Sequence, residues 1–129
     1  MADAVEDSAC AAAFHEWRKQ VKYLRYELAM LEPLWPALID TMTDQAHQLT
    51  DYLGEDHDLT VLREIAVNPR GELPDRASEA LLALIERRQD ELRQKATRLG
   101  ARLFEEKPKR FRARLGDYWR QWRREPLAE

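Results

Sequence analysis

Five basic side chains, His15, Arg18, Lys19, Lys22 and Arg25, recur at steps that keep them together on a helix. At about 100° of turn per residue they share one arc, centred roughly 115° from an apolar stripe on the same segment. The arc itself carries no carboxylate, because Glu16 and Glu27 lie off its centre. Like charges at this spacing cost a few tenths of a kcal/mol per pair in an isolated helix, so the arrangement calls for an anion to offset it. A solvated face that pairs with acids on other helices is the plainer alternative. His15 fits an anion site because a neighbouring anion raises its pKa and adds a charge, whereas the adjacent cations lower it in the free protein.

A second basic group, Lys107, Arg110 and Arg114, stands at the start of a C-terminal helix. Unpaired backbone N–H groups and arginine forks both suit phosphate there, so these three are candidates to join the arc. Arg112, Arg120, Arg123 and Arg124 point in several directions around that helix and cannot all face one ligand. The run Glu55, Asp56, His57, Asp58 is the one segment that invites a catalytic or metal-binding reading. Successive helical residues diverge by about 100°, so the four cannot converge on one ion without help, for instance from His15. The simpler expectation is that Glu55 and Asp56 stabilise a helix N-terminus while Asp58 orients a cation of the first helix. No catalytic residue, metal site or cofactor is expected.

The elements that would position these groups are all helical. Phe14, Trp17, Val21, Leu24, Leu28 and Leu31 alternate in steps of three and four, marking the buried face of a first helix from about Ala11 to Pro33. A second helix follows Pro36 with Leu38, Met42, Ala46, Leu49 and Leu53 inward, and Gly54 is expected to break or bend it before a third over roughly residues 57–67. Asn68, Pro69, Gly71 and Pro74 form the clearest loop. A long fourth helix, about residues 75–105, carries Leu81, Leu84, Ile85, Leu92, Leu99 and Leu103. The fifth, after Pro108, has Phe111, Leu115, Tyr118, Trp119 and Trp122 as its aromatic face. Residues 1–10 hold Asp3, Glu6 and Asp7 without a base and are expected to stay disordered, leaving 11–129 as a single domain.

Composition fits this scheme. Only four glycines against 35% charged residues favours helix over sheet, and 129 residues with 44% hydrophobic content suffice for one core. The single Cys10 excludes an internal disulfide, and no long apolar run suggests a membrane span. A net charge of -3 argues against a general nucleic-acid coat.

Two stretches together, H-x-x-R-K-x-x-K-x-L-R-Y from His15 and L-G-E-D-H-D-L-x-V-L from Leu53, resemble the second half of a CHAD domain, the conserved-histidine α-helical domain. The likeness is read from about Phe14 to the C-terminus. It implies an all-α antiparallel bundle of four to five helices, half of a two-bundle domain whose basic groove binds inorganic polyphosphate. It further implies a non-enzymatic cytoplasmic protein, associated with polyphosphate granules, with His15, Arg18, Lys19, Lys22, Arg25, Lys107, Arg110 and Arg114 on the ligand. No membrane insertion and no sequence-specific nucleic acid are expected. The first bundle has no counterpart here, so a homodimer, with apolar contacts around Trp35 or Trp119, or a separate N-terminal half would complete the groove. The alternatives are an enzyme, or its accessory module, acting on triphosphate or polyphosphate with a metal near Asp56, His57 and Asp58, and a structural helix-packing protein.

Overall fold

In the computed structural model, residues 2–67 and 75–125 are described, with side chains from residue 9 onward in the first segment and from residue 76 in the second. They form four α-helices, α1 (Ala2–Leu31), α2 (Pro36–Val67), α3 (Asp75–Leu103) and α4 (Pro108–Arg124), and no strand. A 3-10 turn, Glu32–Leu34, joins α1 to α2 and holds Pro33 in its first turn, where a missing N–H costs nothing. The expected loop around Asn68 to Pro74 lies outside the described residues.

Two boundaries depart from expectation. The first helix begins at Ala2 rather than about Ala11, so the acidic segment runs into it. Ala9, Ala11, Ala12 and Ala13 are strong helix formers that propagate the helix upstream of the core. The second and third helices are one continuous α2 across Gly54. A helical glycine costs only about 1 kcal/mol relative to alanine. The buried line that runs on past Gly54 through Asp56 to Ala66 outweighs that cost.

The apolar stripe of α2 is Ile39, Met42, Ala46, Leu49 and Leu53, in steps of three and four; Ile39, not Leu38, is the fully buried residue of the first turn. One further step of three lands on Asp56, which is why a carboxylate is only 2% exposed. Around the stripe gather Val21 and Leu28 of α1 and Ala96 of α3, with Phe14, Trp17, Leu24, Leu99 and Leu103 packed against them. Full burial of each large aliphatic side chain contributes about 1.5–3 kcal/mol. On α3 the buried line is Ile85, Gln89, Leu92 and Ala96, whereas Leu84, expected inside, is 64% exposed.

The chain order places α2 between α1 and α3, antiparallel to both. Gln89 donates to the Asp56 carbonyl and to Thr60 Oγ1, so the polar break in the α3 line is satisfied. Arg93 ties three helices together. Its Nε donates to Asp56 Oδ1 at 2.8 Å, its Nη1 lies 3.5 Å from Cys10 Sγ, and its guanidinium stands 4.9 Å from the centre of the Phe14 ring. Trp17 lies against Gly100 so closely that a Cβ there would come within 2.3 Å of the indole. Helix α4 folds back over the turn end of the bundle, where Trp35 meets Tyr118 edge to face at 5.0 Å. Its inner residues Phe111 and Leu115 close an apolar cleft with Leu24, Leu28 and Leu31 of α1. Trp119 and Trp122, placed by periodicity on the aromatic face, are largely exposed at its edge.

Candidate anion-binding site

The arc on α1 does not face open solvent. It lies along the seam with α2, and three of its members meet α2 directly. The His15 ring stacks on His57 with centroids 4.4 Å apart and planes at 24°. One turn along, the Arg18 guanidinium crosses bare backbone at Gly54, where a methyl group would lie 3.5 Å from Nε and 3.6 Å from Nη2. Two turns further, Arg25 Nη1 donates to Thr50 Oγ1 at 3.2 Å. Lys22 is partly buried beside them, and Lys19 is exposed on the outer edge. Antiparallel pairing of α1 and α2 produces this ladder, since a step forward on one helix is a step back on the other.

Electrostatically the seam is positive and incompletely satisfied. Lys19 Nζ is 3.9 Å from Glu16 Oε2, a loose pair of two exposed side chains that contributes at most about 1 kcal/mol. Lys22 makes no ion pair among the described residues. His15 Nδ1, Arg18 Nε and Arg25 Nε are buried and have no hydrogen-bond partner. A buried polar atom left unpaired is costly, more so when charged, so three on one seam make it a candidate site for a ligand that accepts hydrogen bonds. The His15 imidazole is held below its ordinary value of 6.5, first by burial and then by His57, Lys19 and Arg18, against a smaller upward pull from Glu16. An anion in the seam would oppose those downward influences.

The C-terminal candidates are elsewhere. Helix α4 packs against the side of α1 that carries Leu24, Glu27, Leu28 and Leu31, about half a turn from the centre of the arc. Arg114 is committed there, with Nη2 donating to Glu106 Oε2 at 2.6 Å and Nη1 to Tyr118 at 3.2 Å. Those two hydrogen bonds raise its already high pKa. Lys107 and Arg110 are exposed at the start of α4. The eight candidates thus form two groups on different faces, five on α1 and three on α4.

The acidic run also separates. Because α2 is continuous, Glu55 and Asp56 cap no helix N-terminus and instead bind α3. Glu55 accepts two hydrogen bonds from Arg88, at 2.9 and 3.1 Å, and Asp56 is paired with Arg93. Burial pushes the Asp56 carboxyl upward, opposed by Arg93 and Gln89. His57 turns to His15, and Asp58 is exposed and, among the described residues, pairs with no cation of α1. Among the described residues no three His, Cys, Asp or Glu side chains converge as metal ligands would.

Both motifs that build the seam lie in one stretch of chain. The family model of the CHAD domain matches residues 1–67, which contain α1, the turn and α2. The chain belongs to the CHAD domain family. The matched stretch contributes every residue of the seam, while α3 and α4 lie beyond it. No curated protein and no solved structure matches this CHAD chain.

The sequence-based list of CHAD site residues contains no member of α2. His57, Gly54 and Thr50 belong to the seam because of the antiparallel register. The available signal was the second motif, read as a surface facing the first rather than as a separate acidic site.

Proposed function

We propose that this chain binds inorganic polyphosphate along the α1–α2 seam and does not turn it over. The observation that carries the reading is the line of buried, unpartnered nitrogens on His15, Arg18 and Arg25 within a cationic surface. Phosphoryl oxygens satisfy such nitrogens, arginine forks hold them in pairs, and Lys19 and Lys22 follow a flexible chain as adaptable point charges. Successive helical turns rise about 5.4 Å, so the site tracks a repeating polyanion without reading a sequence. The binding reading is favoured over hydrolysis because Glu55 and Asp56 are engaged by Arg88 and Arg93, so that no acidic cluster stands beside the seam among the described residues. The α4 cations Lys107, Arg110 and Arg114 are not part of this proposal.

Retention of long-chain polyphosphate and release of orthophosphate, each measured with and without magnesium, test it. Retention without release is the expected result. Release would make the protein an enzyme, and absence of both would leave a packing role. Replacing Arg18, Lys19, Lys22 and Arg25 together by Gln should leave the helical circular dichroism near that of the parent and abolish retention. Unchanged affinity in that folded variant would overturn the site.

A further inference from the structure

We propose that the outer face of α4 is a docking surface for an anionic lipid bilayer, used peripherally and independently of the α1 seam. No described helix is long and apolar enough to cross a membrane, so adsorption is the mode at issue. Residues 107–124 hold eight Lys or Arg against Asp117 alone, a net of +7, so the rest of a chain of net charge -3 carries -10. Such a dipole attracts an anionic surface from one side and repels it from the other, which orients the molecule.

Local geometry gives the surface its character. With Phe111, Leu115 and Tyr118 turned inward, the opposite half of α4 presents Lys109, Arg123 and Arg124, with Arg112 at its border on the α1 cleft, and none of the four makes an ion pair among the described residues. Arg120 is the exception, held by Asp117. Towards the C-terminal end of the same helix Trp119, 44% exposed, stands beside Arg123, while Trp122, 42% exposed, and Trp35 of the α1–α2 turn, 47% exposed, flank it on the inner edge. Indoles beside arginines suit the headgroup level of a bilayer, where an apolar ring and a polar N–H are both accommodated, while Lys and Arg meet anionic lipid.

A nucleic-acid strand fits less well. Stacking needs open ring faces, yet the Arg123 guanidinium lies over the Trp119 ring at 4.6 Å and Trp35 is engaged by Tyr118. The exposed half of a single helix is also convex and has no channel to follow a strand.

The test is co-sedimentation with phosphatidylcholine vesicles, with and without phosphatidylglycerol, together with tryptophan fluorescence. The full chain should sediment only with the anionic vesicles, lose that binding as salt is raised, and show a blue-shifted emission on them. The triple substitution Arg112→Gln, Arg123→Gln, Arg124→Gln should weaken vesicle binding about tenfold or more while polyphosphate retention persists. Trp119→Ala should weaken it and reduce the blue shift. The α1 quadruple Gln variant should bind vesicles as the parent does. Absence of sedimentation or of the blue shift with the unaltered protein overturns the proposal, as does loss through the α1 variant instead. So does retention on single-stranded RNA, but not on vesicles, through these same arginines.

Discussion

A histidine stacked on a second histidine and flanked by Arg18 and Lys19 is poorly placed to hold a proton. His15 is shifted downward from 6.5, so as pH falls below that value the unfolded chain takes up this proton before the folded one does. The stability that neutral His15 contributes is therefore complete above about pH 6.5 and is lost on acidification through the lower folded-state pKa. The proposed binding of polyphosphate should have the opposite sign. Bound anion raises the imidazole, a proton is taken up on association, and affinity should increase as pH drops from about 7.5 to about 6. The melting temperature of the free protein should fall over the same interval. His15→Gln should flatten both slopes; an unaltered affinity slope in that variant would show that another group titrates. At this scale the cationic arc was readable from spacing alone, because all five residues sit on one helix. Their partners His57, Gly54 and Thr50 were not, since contact between residues 25 to 42 apart in sequence depends on how two helices register.

The helices themselves owe their positions to a few close approaches. Gly100 admits the Trp17 indole where any Cβ would collide with it. Gly100→Ala should thus destabilise despite the better helix propensity of alanine: overpacking costs about 1–3 kcal/mol against about 1 kcal/mol gained. Thermal unfolding of that variant beside Trp17→Ala, which opens a cavity instead, checks the contact, and a more stable Gly100→Ala would refute it. Arg93 is the other fixed point. Arg93→Met strands a buried carboxylate and should cost about 3–5 kcal/mol in urea unfolding, whereas adding Asp56→Leu should recover much of the loss. Prolines 33, 36 and 108 marked helix ends that the structure keeps. Gly54 misled as a breaker, since local propensity yields when a buried line continues on both sides. Asp56 was harder still, because a carboxylate on that line reads as surface until its arginine is found on another helix.

For the molecule as a whole, the seam is one wall. Beside it on α1 runs an exposed ridge of Tyr23, Tyr26 and Met30, whereas Trp35 and Trp119 belong to the α4 side. A two-fold pair that brings two seams together would therefore close on the α1 ridge rather than around the tryptophans. Light scattering should show dimer formation that strengthens with polyphosphate, as the anion screens the facing cations, and Met30→Glu should oppose it. A monomer that binds polyphosphate with undiminished affinity would show that one wall suffices. The all-helical architecture followed from composition and periodicity, but the separation of the two basic faces required the fold, because it depends on which side of the bundle α4 covers. Arg93 has a last consequence. It holds the lone thiol of the chain, Cys10, against α3 while also gripping α2. That thiol is half-buried, so its reaction with a thiol reagent should quicken whenever α1 moves off α3, and the rate of labelling reads the opening of the first helix without altering a single residue.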